Sequence, residues 1–256
     1  RELYDEVFLE EIKSEDPDNV PDGELFRKEI TEVHSETDRV IHRGLYPESK
    51  IINAMEKALA ILNNESIEPL YRTCVFHYLL EYIHPFYDGN GRLGRLILSH
   101  NLTDILEPLV AYRISETVRE NIREYYRAFE TCNNPKNLGD LTPFLIMLLT
   151  MIQKALSELN ESLEIKCFSL NRYENVVFVF PECENEKTKE MYRLLIETSL
   201  FGERGISTEE LMTALDSSYY TVKKMMGTIR PDLLTSDKKG KNMYYGLNLK
   251  KLEEFA

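Results

Sequence analysis

The stretch that decides the fold reads His84-Pro85-Phe86-Tyr87-Asp88-Gly89-Asn90-Gly91-Arg92-Leu93-Gly94-Arg95. Its Gly-Asn-Gly run stands directly before a segment with helical periodicity, and the backbone N–H groups at a helix N-terminus attract anions. Glycine has no Cβ atom to keep a phosphate away from the backbone. The pattern therefore predicts an anion-binding loop formed by Gly89, Asn90 and Gly91.

Four side chains around this loop add chemistry to the anion site. Arg92 and Arg95 stand three residues apart in the first helical turn, where both can hold phosphate oxygens. Asp88 offers the hard carboxylate oxygen that Mg²⁺ prefers, and the ordinary pKa of His84 suits a general base. Together they predict a nucleotidyl-transfer site. The P-loop pattern GxxxxGK[ST] and the dinucleotide pattern GxGxxG are both absent.

These twelve residues match the signature HxFx(D/E)GNGRxxR at every defined position, so the chain resembles the Fic-domain family. Phe76–Ile83 is similar to the helix that precedes the motif in that family, and Gly23–Arg27 to its G-x-[YF]-R element. Tyr125–Phe129 and Gly139–Phe144 are similar to the segments that follow. The resemblance covers roughly residues 20–160.

The resemblance implies a protein adenylyltransferase, which transfers AMP from ATP to a Ser, Thr or Tyr hydroxyl of a target protein with Mg²⁺ as cofactor. His84 would deprotonate the hydroxyl, Asp88 would hold Mg²⁺, and Phe86 would anchor the loop. The phosphates would be bound by Gly89, Asn90 (its amide near the α-phosphate), Gly91, Arg92 and Arg95. The related Doc proteins, which phosphorylate, carry Lys at the position of Gly91, so glycine favours AMP transfer.

The fold class expected is mainly α, with a Fic-type helical core over residues 1–164. Apolar residues at helical spacing predict helices from about 49 to 62, 67 to 83, 92 to 106, 115 to 131 and 141 to 164, with Ser49 as an N-cap. Thr31–Arg43 could form a β-hairpin around the turn Ser35–Asp38. In the family such a flap holds the target segment by β-addition, which His42 and Arg43 could assist.

Residues 165–183 are expected to form a linker, because the run Val176–Phe180 before Pro181 favours an extended chain. Residues 184–256 then show three helical segments (187–200, 207–215 and 218–229) and a hairpin over 233–247. This is the order of a winged-helix module.

The formal net charge of −13 is distributed unevenly. Residues 184–256 hold 12 Lys+Arg and 12 Asp+Glu, and residues 1–183 hold 19 and 32. The acidic part excludes a broad polyanion-binding surface there. In the neutral part, basic residues between 218 and 241 could contact DNA: Lys223, Lys224, Arg230, Lys238, Lys239 and Lys241. A protein-interaction role remains the alternative for this module.

A cytoplasmic protein is expected, with no membrane segment. No apolar run approaches the ~20 residues of a membrane helix, the acidic start does not resemble a signal peptide, and the four cysteines lack metal-ligand spacing. The chain starts at Arg1, so the natural chain could begin upstream. The family's inhibitory pattern [ST]xxxE[GN] has no full match, and Ser157–Ser162 comes nearest.

Besides AMP transfer, three functions stay open at this point. A Fic enzyme could use another nucleotide donor, because the anion site recognises phosphates rather than the base. The net reaction could be removal of AMP. In a third alternative, the chain is a DNA-binding regulator whose Fic site senses nucleotide.

Overall fold

The structure, a computed structural model, describes residues 1–34 and 40–255. The chain divides into two units, Arg1–Leu159 and Asn160–Ala256. Helices form most of the described chain, which confirms the mainly α fold class. The two units are described in turn.

In its described residues, the first unit contains seven complete α-helices, a hairpin and the start of an eighth helix. In chain order these are α1 (Glu2–Val7), α2 (Leu9–Glu15), β1 (Glu32–His34), β2 (Val40–Arg43), α3 (Glu48–Leu62), α4 (Pro69–Ile83), α5 (Asn90–Thr103), α6 (Pro108–Glu120), α7 (Ile122–Asn133) and α8 (Thr142–Val177). Helices α3, α4 and α5 lie close to the predicted bounds, and α8 starts where predicted but continues past residue 164 to Val177. Ser49 lies inside the first turn of α3 and is not its N-cap, because Pro47 occupies that position.

Two apolar clusters stabilise this unit. The first contains aromatic side chains of α4, α7 and α8, with Phe144 fully buried among Tyr78, Tyr125 and Phe129. The second surrounds Phe86 in the motif loop and includes apolar residues of α1, α2 and α3. Helices α4 and α5, which flank the motif, contribute to both clusters, so the loop between them is supported by core packing on each side.

The single helix predicted over 115–131 is two helices in the structure. The break falls at Asn121, whose backbone N–H and side-chain amide both bond to the carbonyl of Thr117. Asparagine competes in this way with the regular backbone hydrogen bonds of a helix. The apolar periodicity continued across the break, which is why the two helices looked like one.

Two short helices that were not predicted from the sequence, α1 and α2, lie at the start of the chain. Tyr4, Phe8 and Ile12 follow each other at intervals of four and are all buried. This spacing places them on one helical face, which packs against the motif loop. A 3-10 turn at Pro17–Asn19 ends the helical segment.

The predicted flap hairpin is present. Strands β1 and β2 pair antiparallel, with Glu32 opposite Arg43 and Val33 opposite His42. The predicted turn Ser35–Asp38 lies outside the described residues.

The second unit contains the C-terminal part of α8, then α9 (Glu186–Phe201), β3 (Ile206–Ser207), α10 (Thr208–Ala214), α11 (Tyr219–Met226), β4 (Leu234–Lys239), β5 (Asn242–Leu247) and α12 (Leu249–Leu252). Its sheet has the strand order β3-β5-β4 and is antiparallel throughout. A capping box between Ser207 and Glu210 starts α10. These elements lie where the sequence predicts helices and a hairpin, and the winged-helix assignment stays a prediction.

The extended linker predicted over 165–183 is wrong, because α8 continues to Val177 and a 3-10 turn follows at Pro181–Cys183. The valines suggested a strand by residue type. Their positions are helical: Val176 and Val177 follow Tyr173 by three and four residues, and all three are buried in the core of the second unit. In this segment, the helical spacing of the buried residues therefore outweighs the β-propensity of the valines.

Among the described residues, one helix, α8, is long and apolar enough to cross a membrane, judged by length and composition alone. The core helix of a soluble protein passes the same test. Phe144, Leu148, Met151 and Ile152 of α8 are buried in the core of the first unit.

The helical course of residues 165–177 can be tested with proline. In Ser169→Pro, the proline ring would clash with the carbonyl of Ile165, which now accepts a bond from the Ser169 hydroxyl. We expect a loss of about 3 kcal/mol or more in the free energy of unfolding, measured in urea. Ser169→Ala is the control and should change stability little. Equal stability of the two variants would contradict the helix.

Candidate active site

The motif loop runs from the end of α4 to the start of α5 and is closed by one side chain. Asn90 is 2% exposed. Its Oδ1 accepts the Phe86 N–H at 3.0 Å, and its Nδ2 donates to the Phe86 carbonyl at 2.8 Å. Gly89 precedes the helix with φ of +82°, a backbone conformation that favours glycine. The loop is thus held as a tight turn at the helix N-terminus.

Phe86 anchors this turn in the core, as the resemblance implied. The ring is 1% exposed and stacks on Tyr4 with centroids 3.6 Å apart, while Phe26 meets it edge-on at 5.6 Å. The Tyr4 hydroxyl also donates to the backbone carbonyl of Asp88 at 3.1 Å. Helix α1 therefore supports the loop through both packing and a hydrogen bond.

The start of α5 offers the backbone donors that an anion needs. The first N–H groups of a helix have no acceptor within it, and here they belong to Asn90, Gly91 and Arg92. The resemblance placed the amide of Asn90 near the α-phosphate. In the structure, the side-chain amide closes the loop, and the backbone N–H of Asn90 lies in the first turn of α5.

The two arginines lie where the sequence predicted, beside this helix N-terminus. Arg92 forms ion pairs with Glu11 at 2.7 Å and with Asp88 at 3.3 Å. Both Arg92 and Arg95 line a cavity of about 610 Å³. Arg95 also lines a second cavity of about 500 Å³, together with residues of α6 and α7 that include Tyr126. The site has room for a nucleotide next to its positive charges.

Asp88 suits the magnesium role. One of its oxygens accepts the Gly89 N–H at 2.5 Å, and the other faces Arg92. The described residues contain no cluster of three or more His, Cys, Asp or Glu side chains able to hold a metal. Mg²⁺ commonly binds through one or two carboxylates plus the substrate's phosphates. A single carboxylate beside an anion site fits that mode.

His84 has the protonation state that a base requires. Its Nδ1 lies 3.2 Å from the Glu81 carbonyl; with the proton on Nδ1, Nε2 is left to accept one. Burial lowers the pKa of His84 to about 4, against the hydrogen bond to Glu81, and nearby His42 and Arg27 lower it further. The imidazole is therefore neutral at pH 7.

The flap residues His42 and Arg43 face different surroundings. The His42 ring packs against the Tyr82 ring at a tilt of 32°, and its Nε2 lies 2.6 Å from the Tyr82 carbonyl. Arg43 is exposed and pairs with Glu32 at 2.7 Å. Of these two side chains, that of Arg43 lies outside the core, where it is accessible from solvent.

Two side chains that sequence reasoning missed lie behind the motif. Glu81 fills the space that a Cβ atom on Gly94 would occupy, and within the described chain its Oε1 has no hydrogen-bond partner. Burial raises the pKa of Glu81 to about 7, although Arg95 lowers it. His77 is buried beside it and bonds to the Tyr125 hydroxyl at 2.8 Å. A Glu and a His within the otherwise apolar segment 76–83 were the available signal.

Tyr4 and Glu11 were also missed, since they belong to helices that were not predicted. Tyr4 contacts the loop, and Glu11 pairs with Arg92. The four-residue spacing of Tyr4, Phe8 and Ile12 could have revealed the helical face, but nothing in the sequence joins Glu11 to Arg92.

The buried Glu81 carboxyl predicts a pH-dependent stability. Its folded-state pKa of about 7 exceeds the ordinary 4.5, so its contribution is fully present below pH 4.5 and is lost as the pH rises through 7. Compared with Glu81→Gln, the wild type should lose up to about 1.4 kcal/mol of unfolding free energy per pH unit in this window. Urea unfolding of both proteins from pH 5 to 8 measures the difference. Parallel pH profiles would refute the prediction, since the histidine titrations are common to both proteins.

Comparison with known proteins agrees with this geometry. A model of the Fic/DOC family matches residues 2–102. Protein adenylyltransferase fic-1 of Caenorhabditis elegans is 39% identical over 87 residues, which are 33% of this chain and 15% of the relative. A probable protein adenylyltransferase of Aquifex aeolicus is 40% identical over 62 residues, 24% of this chain and 19% of the relative. The chain thus spans less than a fifth of either relative's length.

A solved structure extends the likeness in fold. The crystal structure of a Fic family protein from Desulfovibrio desulfuricans G20 aligns with a TM-score of 0.52 at 23% identity, over 90% of this chain and 64% of that one. The family match over residues 2–102 includes the whole motif at 84–95 and the helices that support it. Through this segment, the chain is similar to the Fic/DOC family.

Proposed function

We propose that this protein is a nucleotidyltransferase that moves AMP from ATP to a Ser, Thr or Tyr hydroxyl of a target protein. The observation that carries the proposal is the closed loop, in which neutral His84 ends one helix and the anion site with Arg92 and Arg95 starts the next. A base and an anion site joined by five residues are what in-line attack on a phosphate requires.

The phosphates of the donor would lie at the N-terminus of α5. The N–H groups of Asn90, Gly91 and Arg92 would bind oxygens of the chain, and Arg95 would add its charge from the cavity wall. Asp88 would hold Mg²⁺, which neutralises charge on the phosphates. To take part, Arg92 must turn from Glu11 or share its guanidinium with the phosphate.

His84 would act on the target hydroxyl. Nε2 accepts the hydroxyl proton while the oxygen attacks the α-phosphorus, and the bond from that phosphorus to the α,β-bridging oxygen breaks. AMP becomes bonded to the target, and pyrophosphate leaves. The proton remains on His84 until solvent takes it, which its pKa of about 4 favours.

The target would dock on the flap. Strands β1 and β2 form a two-stranded sheet, and an extended segment can add to the edge of such a sheet through backbone hydrogen bonds. This mode of docking tolerates many sequences, and the flap leaves the identity of the target open.

Relatives named protein adenylyltransferase support AMP as the transferred group, as does glycine rather than Lys at Gly91. The anion site recognises phosphates and would accept other nucleotide donors. A panel of α-labelled ATP, GTP, CTP and UTP therefore belongs in the first experiment, and mass spectrometry of the products identifies the fragment transferred. Loss of AMP from a premodified target would identify the reverse reaction.

The central test is transfer of label from α-³²P-ATP to protein in the presence of Mg²⁺. His84→Ala should lower the rate of label transfer by about 10²–10⁴-fold, because the general base is lost. Arg95→Ala should weaken ATP use, while Arg123→Ala, which removes an exposed arginine of α7, is the matched control and should leave transfer unchanged. Undiminished transfer by His84→Ala would sink the proposal.

DNA binding by the second unit is a second candidate. Tyr219 and Tyr220 of α11 are 59% and 77% exposed, and Lys224 lies on the same short helix. Strand β4 exposes its residues from Thr235 to Lys239. Aromatic and basic side chains on an exposed helix and a nearby hairpin are groups that contact phosphates and bases.

Salt dependence tests this candidate. If Lys224, Lys238 and Lys239 contact phosphates, each change to Ala should reduce the slope of log affinity against log salt by about 1. Lys250→Ala in α12 is the charge-matched control. Fluorescence anisotropy with a labelled DNA duplex measures affinity across salt concentrations, and a slope that the three variants share with the wild type would exclude these contacts.

A further inference from the structure

Arg27 is a fully buried arginine that bonds to three backbone carbonyls. It is 0% exposed. Its Nε donates to the carbonyl of His84 at 2.9 Å, its Nη2 to that of Leu45 at 2.8 Å, and its Nη1 to that of Glu29 at 2.5 Å. Arginine suits this geometry because its planar fork carries five donors in fixed directions.

The three carbonyls are not neighbours in sequence. One belongs to the proposed base, His84. The other two frame the flap, since Glu29 precedes β1 and Leu45 follows β2. No carboxylate pairs with Arg27 among the residues that the structure describes. Burying a guanidinium is costly, and the three hydrogen bonds that offset this cost join the flap to the motif loop.

A second set of bonds joins the same two parts. The Glu29 N–H donates to the Tyr87 hydroxyl at 2.9 Å, and that hydroxyl donates to Asp22 at 2.9 Å. The backbone N–H of Arg27 donates to the carbonyl of Pro85 at 3.2 Å. The backbone N–H of Leu45 donates to the carbonyl of Ile83 at 3.0 Å. The motif loop is thus bonded to both ends of the flap, with Arg27 at the centre.

We propose that Arg27 is a positioning residue that sets the register between the flap and His84, so that a hydroxyl on a docked segment arrives at Nε2. The inference rests on the proposed transfer reaction. A segment held by backbone bonds moves with the flap, and a misplacement of about 1 Å can lower the rate by about 10²-fold. Attack by water needs no flap, so the two nucleophiles distinguish positioning from general support of the fold.

The test follows the fate of α-³²P-ATP in two products, label bound to protein and free AMP released by water. Arg27→Lys keeps the charge but cannot reach three carbonyls at once. We expect the ratio of protein-bound label to free AMP to fall at least about tenfold, and the Kd for Mg-ATP to change less than about twofold. If both products fall in equal proportion, Arg27 only supports the fold and the proposal is overturned.

Tyr87→Phe provides a milder variant that keeps the ring and removes the two hydroxyl bonds. It should shift the same ratio in the same direction by about threefold or more. Tyr71→Phe, at an exposed position of α4, is the matched control and should behave like the wild type. An unchanged ratio in Tyr87→Phe together with an unchanged ratio in Arg27→Lys would also overturn the proposal.

Hydrogen exchange gives a readout that needs no catalysis. The Gly44 and Leu45 amides donate to the carbonyls of Thr31 and Ile83, and both should exchange at least about tenfold faster in Arg27→Lys, with the amides of α5 unchanged. Equal exchange rates of these two amides in Arg27→Lys and in the wild type would contradict the proposal that Arg27 holds the flap to the motif loop. If the wild type transfers no label and releases no AMP, the proposed reaction fails, and exchange alone decides whether Arg27 holds the flap.

Discussion

The buried amide of Asn90 bonds to both backbone groups of Phe86, and the rest of the site depends on this closure. It brings the end of α4 and the start of α5 together across the six intervening residues, 84–89. A buried side chain that satisfies two opposing backbone groups leaves the loop little freedom, since each broken bond would leave a polar group buried and unpaired. The stacked rings of Tyr4 and Phe86 then fix the depth of the loop in the core.

Charge at this site is local rather than global. The chain carries a net charge of −13, yet the site gathers helix N–H groups, Arg92 and Arg95 at one helix end. Glu11 and Asp88 balance Arg92 in the structure, so a phosphate would compete with carboxylates that are already in place. Interactions at such short range matter more for binding a small anion than the distant acidic surface, which salt screens.

The motif predicted the positions of the candidate site residues more completely than it predicted the fold around them. His84, Asp88, Arg92 and Arg95 were placed by spacing alone, because a loop of fixed length between two helices leaves few arrangements. What the sequence could not reveal were contacts between distant segments, such as Glu11 with Arg92 and Arg27 with His84. The resemblance placed the amide of Asn90 near the α-phosphate, whereas in the structure its side-chain bonds go to the loop. A side-chain amide can bond to either partner, and the sequence alone does not distinguish the two.

Each of the two errors in secondary structure overlooked a local signal that the sequence contains. The segment Val176–Phe180 was judged by residue type, and the helices α6 and α7 were judged by periodicity without regard to Asn121. In each case the competing local signal was present in the sequence: helical spacing at Tyr173, Val176 and Val177, and a side chain able to bond to Thr117. Tertiary burial decided the first and a local hydrogen bond the second.

The carboxyl of Glu81 occupies the place of the side chain that Gly94 lacks. A Cβ atom at position 94 would clash with Glu81 Oε1, the end of a flexible side chain, so alanine there requires that carboxyl to move. Substitution at position 94 is therefore coupled to the length and conformation of the side chain at position 81, and Gly94→Ala should cost less where that side chain is shorter.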